Sequence, residues 1–496
     1  MASVTRLREL SPRSITYLVL ATGLIVIAYT LIFDKMIILA AVAFLPLITI
    51  VLNYCIQKPK FSYLLYTTYI YYLTAIMRYS RKEGLSVVSD ILLVFIFLSI
   101  LLFAIRHKSQ MQFSHAINFV TISYVIWILY ILIQFVNPST GTDSETIITN
   151  IRTWCLGIPV LYIVSSILLD NPKTIRSGLI IIGLFTLTAF LKLLYQKYRW
   201  FDEAETEWLM KSSWFTHILP TGIRYFSIFS DAGNFGSNMG MVTIVYGIVT
   251  FHTQNRWLRL FYLSVALMGV IGMFMSGTRG AIIVPLAGLA LYCLISKSIK
   301  IMGISAIVFL ILYSFFTFTE IGNDNGLIRR MRTAFTPTED ASFNVRVENQ
   351  KKIAEYLETN PWGAGLGKGV ERIQYIDGQF VVDNIPPDSY YVNIWMQMGN
   401  SGLIIYIAIY AAILLRCCYI IMFRIRDKQL RNILAALLCG VFGMWLNGYV
   451  GRGMGATPSA FMIAASLAFV MNGPFMDKQI LLKEQKISDS NKKTIK

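Results

Sequence analysis

Apolar residues gather into runs of about 20 along the 496-residue chain, separated by short polar stretches. At a helical rise of about 1.5 Å per residue such a run spans the hydrocarbon layer of a bilayer, so each reads as a transmembrane helix. The runs fall at roughly 14–33, 36–56, 61–77, 86–105, 117–136, 155–169, 178–196, 237–253, 259–278, 280–296, 300–319, 392–415, 430–450 and 457–473, with 61–77 and 155–169 the least marked. No small-x-small cleavage site follows the first, which reads as an uncleaved span with no soluble domain expected on either side of the bundle. The pattern predicts an all-α polytopic membrane protein of about 12–14 transmembrane helices, with one large extracytoplasmic loop containing short helices.

The polar stretches set the organisation. N-terminal transmembrane helices occupy 1–196, an outer loop 197–236, central helices 237–319, the large extracytoplasmic loop 320–391, C-terminal helices 392–473 and a basic cytoplasmic tail 474–496. Within the large loop, "FNVRVENQKKIAEYLETN" (343–360) sets Val347, Ile353 and Leu357 among charges and predicts an amphipathic helix. "NPWGAGLGKG" (360–369) stops it, and Gly365 and Gly367 permit a backbone that approaches a ligand. No strand is expected before these glycines, which argues against a dinucleotide fingerprint, and no phosphate-loop motif occurs.

Composition supports the membrane reading: 55% of residues are hydrophobic and 14% charged, far from a soluble average. The net charge of +17 has a topological explanation rather than a nucleic-acid one. Lys and Arg concentrate in alternate short loops, which places those loops and both termini in the cytoplasm. The chain is then expected to be multi-pass, with its long loops on the opposite, outer side. "RYSRKEG" (78–84) resists, because it is basic yet falls outside: either an early span is miscounted, or Arg78 and Arg81 have a use. Six scattered cysteines and four histidines without ligand spacing predict neither a disulfide framework nor a metal site, and no cofactor is expected.

Four arginines stand out at the outer boundary: Arg224 in "GIRYFSIFSDAGNFGSN", Arg279 in "MSGTRGA", Arg346 at the start of the amphipathic helix, and Arg452 in "GYVGRGMGATPSA". Each alone reads as an arginine reaching for lipid headgroups. Together, three of them beside or one residue away from a glycine, they suit a diphosphate held at the headgroup plane, since guanidinium binds phosphate oxygens in pairs. Asp231 and Asn234 are either caps of the helix at 237–253 or part of the same site. Asp388, in "NIPPDSYYVNIWMQMGNSGL", poses the same choice, with Ser389 as the other possible cap. Tyr390, with Trp208, Trp214, Tyr225, Trp362, Tyr375 and Tyr391, could stack on sugar rings or simply belong to the aromatic belt. Lys192 reads as a snorkelling lysine.

Taken in order, four stretches resemble the superfamily of O-antigen ligases and O-antigen polymerases: "RYFSIFSDAGNFG" (224–236), "SGTRGA" (276–281), "NVRVENQKKIAEYLETNPWGAGLGKG" (344–369) and "DSYYVNIWMQMGNSGL" (388–402). The resemblance covers about 220–410. It implies a metal-independent glycosyltransferase working on undecaprenyl-diphosphate-linked oligosaccharide within membrane lipids, with a chain-length regulator protein as a candidate partner. It implies catalytic roles for Asp388, Arg279 and Arg224, and substrate contacts from Arg346, Arg452, Asp231, Asn234, Tyr390, Gly365 and Gly367. Ligases of this superfamily typically carry His where this chain has Asp388, which favours a polymerase of repeat units. A ligase with an atypical base is the alternative. A flippase of lipid-linked sugar is another, for which broken helices near mid-membrane are expected.

Overall fold

The computed structural model describes residues 51–494 apart from 108–112, 141–142, 221, 297–298, 325, 334, 336–340 and 377–378. The expected spans at 14–33 and most of 36–56 therefore lie outside the described residues. Contacts divide the chain into two compact units, Met1–Leu64 with Phe95–Lys108, and Leu65–Val94 with Ser109–Lys496. In the first, the Ser62 hydroxyl donates to the Cys55 carbonyl at 2.8 Å. The second carries everything that follows.

The described chain is almost wholly helical. In order, α1 is Pro59–Ser80, α2 Ser86–Arg106, α3 Phe119–Gln134, α4 Ser144–Ile151, α5 Leu161–Leu168, α6 Pro172–Arg199, α7 Glu203–Ser212, α8 Trp214–His217 and α9 Ala232–His252. Then come α10 Arg256–Met275, α11 Ile283–Ser296, α12 Ile299–Phe318, α13 Gly326–Arg332, α14 Ala341–Thr359, α15 Tyr390–Tyr419, α16 Lys428–Asn447, α17 Ser459–Met471 and α18 Gly473–Thr494. Among the described residues seven helical segments are long and apolar enough to cross a membrane, and α17 with the start of α18, bent by 52°, makes an eighth if the two form one span. This is a multi-pass membrane protein. Helices also occupy the other expected positions, α1, α3, α9 and α12, but α3 has only 16 residues, and α9 opens on the polar sequence AGNFGSN.

Start signals are side-chain caps in the connecting turns. Asn171 accepts from Lys173 N ahead of α6, with Pro172 at the first helical position. Asn255 does the same for α10 and Asp427 for α16. α9 is the centre of the second unit and packs on α10, α11 and α16. Its buried face includes Gly236, Ser237 and Gly240, and a Cβ on Gly240 would sit 2.9 Å from the Ala281 carbonyl. Small residues let helices approach closely where lipid supplies no hydrophobic drive between them.

The segment 320–391 folds more than expected. The amphipathic helix is α14, with Ile353 and Leu357 buried against Val370, Ile385, Val392 and Met396. Beyond it an antiparallel hairpin pairs β3, Val370–Ile376, with β4, Gln379–Ile385. A second, two-residue pairing joins β1, Ile218–Leu219, to β2, Gly222–Ile223.

α15 is broken at Gly399, whose φ of 66° and ψ of −167° are open essentially to glycine alone. The break frees carbonyls, and the loop after α14 takes them up: Ala364 N donates to Met396 O at 2.8 Å and Gly365 N to Gln397 O at 3.0 Å. Tyr130 of α3 reaches Met398 O at 3.2 Å. A Cβ on Gly399 would run into the Pro361 carbonyl. Gly399→Ala should therefore destabilise the protein by more than about 3 kcal/mol, backbone strain and overpacking together. Thermal unfolding in detergent measures this, and an unchanged midpoint would show that the loop does not lock the break.

Candidate active site

Four pieces of chain meet where α9 begins: the segment after β2, the turn between α10 and α11, the turn between α16 and α17, and the start of α15. They enclose, with α13 and α14, a cavity of about 800 Å³. Arg224, Arg279, Arg330, Arg346 and Arg452 line it, against two carboxylates, Asp231 and Asp388. Ile282, Ile283, Leu286, Phe335 and Phe343 form an apolar wall beside them.

The segment carrying Arg224 is pinned from below. Arg78, at the end of α1, is buried; its Nη1 donates to Ser227 O at 3.0 Å and its Nη2 to Phe229 O. The guanidinium lies 4.7 Å from the Trp208 ring centroid and 4.5 Å from that of Phe226. Gln196 closes the same residue, accepting from Ser227 N at 2.9 Å and donating to Glu205 at 2.8 Å. Lys192 is no snorkelling lysine: its ammonium pairs with Asp202 at 2.9 Å and Glu205 at 3.0 Å. Arg81 pairs with Glu207 at 2.7 Å and Glu203 at 3.4 Å. The basic stretch 78–84 is thus the counter-charge of the acidic helix α7, and Arg78 is a strut beneath the cavity.

Above that strut, Arg224 donates from Nη1 to Thr216 O at 2.9 Å and from Nη2 to Thr278 Oγ1 at 3.0 Å, while its buried Nε has no partner. Burial pushes Arg224 below the ordinary arginine range; Asp231 opposes this, and the guanidiniums of Arg279 and Arg346 add to it. Three guanidiniums close enough to repel one another make an environment that an anion would relieve. Arg279 reaches Thr333 Oγ1 at 2.8 Å. Arg452 is exposed at the rim.

His217 also lines the cavity. Its Nε2 accepts from Ala232 N at 3.2 Å and its Nδ1 faces Ser213 O at 3.0 Å, the pattern of a neutral ring with the proton on Nδ1. Burial first, then the charges of Arg224 and Arg78, hold it below the usual histidine range, against the Ser213 carbonyl and Asp231. His217 is an orienting residue for the start of α9, not a free base.

Asp231 both caps α9, accepting from Asn234 N at 2.9 Å, and lines the cavity. Asn234 lines the cavity too, yet its amide is engaged: Nδ2 donates to Thr457 O at 2.8 Å, and Oδ1 accepts from Ser459 at 3.1 Å and Asn238 at 2.8 Å. At the start of α15 the two candidate caps part company. Ser389 is the cap, its Oγ accepting from Val392 N at 3.0 Å. Asp388 stands one residue earlier at φ 47° and lines the cavity, while Asn349 Nδ2 from outside the lining donates to its Oδ2 at 3.0 Å.

Three residues expected in the site are elsewhere. A Cβ on Gly365 would meet the backbone of Ser139 and Thr140, and one on Gly367 the Asn150 amide at 2.7 Å, so both glycines serve close loop packing. Tyr390 points away from Asp388 into an aromatic cluster with Trp154 and Tyr406, lining a separate crevice of about 20 Å³, the space of one water. Trp208, Trp214 and Tyr225 belong to the buried cluster around Phe226. Arg330, Asn349 and His217 were not singled out from the sequence. The run Arg329-Arg330-Met331-Arg332 was the available signal for the first, but no apolar run fixes where such a stretch lies. Among the described residues no group of three or more His, Cys, Asp or Glu is placed to hold a metal ion.

A multi-pass helical membrane protein with an arginine-rich cavity at one end of its bundle and a carboxylate in its lining is thus what the fold and site define. Residues 263–407 match the model of a protein family described as O-Antigen ligase, and the match supports the superfamily of O-antigen ligases and polymerases. It supports an enzyme of that general kind. No curated protein matches the chain.

Proposed function

We propose that the protein is a glycosyltransferase that polymerises repeat units of a surface polysaccharide on the outer face of the bacterial inner membrane, from undecaprenyl-diphosphate-linked oligosaccharide. The observation that carries this reading is Asp388: freed of capping by Ser389, it faces a cavity lined by five arginines. The arginines bind the diphosphate of the donor, and the apolar wall suits the first part of its lipid. The acceptor hydroxyl attacks the anomeric carbon, a new glycosidic bond forms, and the bond from that carbon to the diphosphate oxygen breaks. Asp388 takes the hydroxyl proton. The guanidiniums stabilise the charge growing on the departing lipid diphosphate, with no metal in the scheme.

The family description favours a second reading, transfer of a finished glycan to a different acceptor. The glycan profile of a deletion strain separates the two. Loss of a polymerase should leave single repeats on the acceptor. Long chains stranded on the lipid carrier would instead identify a ligase, and repeats trapped on the cytoplasmic side a flippase.

A further inference from the structure

Asn349 does not line the cavity, yet its amide donates to Asp388 Oδ2 at 3.0 Å. Resting on the reading of Asp388 as the base, we propose that Asn349 is a positioning residue: its carboxamide fixes one carboxylate oxygen through a hydrogen bond that a charged carboxylate accepts best, and turns the other to the acceptor hydroxyl.

Three features support it. First, the backbone at Asp388 is already held. Ser389 caps α15, and Tyr390 N donates to Gly448 O at 2.9 Å and Gly451 O at 3.3 Å. The freedom that remains is rotation of the carboxylate itself, and Asn349 removes it. Second, Asn349 sits where α14 is anchored. Ile353, one turn further, is fully buried, whereas Phe343 and Val345 at the start of the helix are exposed. Third, Asn349 follows Arg346 by three residues, so both project from one face of α14. One rigid helix thereby sets the spacing between a guanidinium of the cavity and the carboxylate.

The partner is also of the right kind. Among the described residues Asp388 makes no ion pair, and a neutral amide donor steadies a carboxylate without neutralising it. An arginine paired to Asp388 would hold it ionised more strongly and weaken it as a proton acceptor.

The charged groups that share the cavity are Arg346 of α14, Arg330 of α13, and Arg279, Tyr449 and Arg452 of the two turns. The segment before α9 adds His217, Arg224 and Asp231. Of these groups and Asp388, it is Asp388 that the Asn349 amide bonds. A shift of the acid limb on changing Asn349 therefore reports on Asp388.

The test is the pH–rate profile of the full chain in proteoliposomes, with a synthetic polyprenyl-diphosphate-linked oligosaccharide as substrate. A base must be ionised, so activity rises with pH through its pKa. Asn349→Ala should move that limb up by about one pH unit and lower kcat about tenfold with KM little changed. Asn349→Asp should move it further, because a second carboxylate disfavours ionisation of the first. Asn349→Gln, which keeps an amide donor, should return the limb towards wild type. Acid limbs that superimpose in all three variants overturn the proposal, whatever the rates. Asp388→Asn in the same assay tests the underlying reading separately: wild-type rates there would remove the base and this proposal with it. Loss of rate there with unmoved limbs in the Asn349 variants would overturn the positioning role alone.

Discussion

Arg279→Ala should abolish chain growth, a loss of about 10²–10³-fold in rate, while the protein still inserts and folds. Arg279 opens the short turn Arg279–Ile282 that leads into α11, and Gly280, Ala281 and Ile282 behind it are buried. The backbone that presents the guanidinium is thus part of the bundle, and truncating the side chain leaves it in place. The energetics separate function from structure. Arg279 is one of the charges that push Arg224 down, so it contributes repulsion among the cavity arginines. Removing it relieves that repulsion and costs about 1 kcal/mol for each hydrogen bond it makes, that to Thr333 among them. Thermal stability should therefore hold nearly constant while the glycan ladder disappears. Arg279→Lys should recover only part of the activity, since an ammonium lacks the planar fork that holds a diphosphate. Thr333→Val, which cuts the tie and spares the charge, should keep most of it. Normal chain lengths in Arg279→Ala would sink the diphosphate role.

Much of the bundle was legible in the sequence, because burial in lipid imposes length and apolarity on each span. The helix at 343–360 was legible for the same kind of reason, its apolar spacing appearing as α14. The β3–β4 hairpin was missed although Asp377-Gly378 stands between two strand-like runs, Val370–Ile376 and Gln379–Ile385; surrounding charge made the segment read as solvated loop. Distant pairings were out of reach. Nothing local tells that Arg78 is neutralised around Glu205 and fastened to Ser227 and Phe229, so the basic stretch on the unexpected side left open either a miscounted span or a use for its charges. The glycines at 365 and 367 were seen as permissive, which they are, but the sequence does not say whether a ligand or another backbone comes close.

The interrupted helices bear on the transporter alternative. Among the described residues two spans carry a non-helical residue, Gly157 beside Pro159 and Gly399, apart from the bend between α17 and α18. In a transporter such breaks expose backbone to a central substrate. Here the loop 361–367 fills the second break, and aromatic rings crowd the first around a crevice of about 20 Å³. Neither break opens onto the arginine cavity, which lies at the end of the bundle, where a headgroup rather than a translocating sugar would be held.

Asp388→Asn should lower the rate of glycosyl transfer by about 10²–10⁴-fold. Asparagine is the informative substitution because of the backbone. Asp388 sits at φ 47°, in the left-handed region that asparagine and aspartate enter more readily than other residues with a Cβ. Alanine there would add strain of about 1 kcal/mol or more, so a loss of activity in Asp388→Ala would mix chemistry with a displaced turn. The asparagine variant keeps shape, backbone preference and an oxygen to accept from Asn349, and loses only the negative charge. The cap of α15 is untouched, since Ser389 Oγ supplies it. Folding should therefore be unchanged, and the loss should appear in kcat rather than in KM, as expected for a group that acts on the proton of the attacking hydroxyl. A wild-type rate in this variant would reduce Asp388 to a residue of the turn and leave the arginine cluster as a binding site in want of a base.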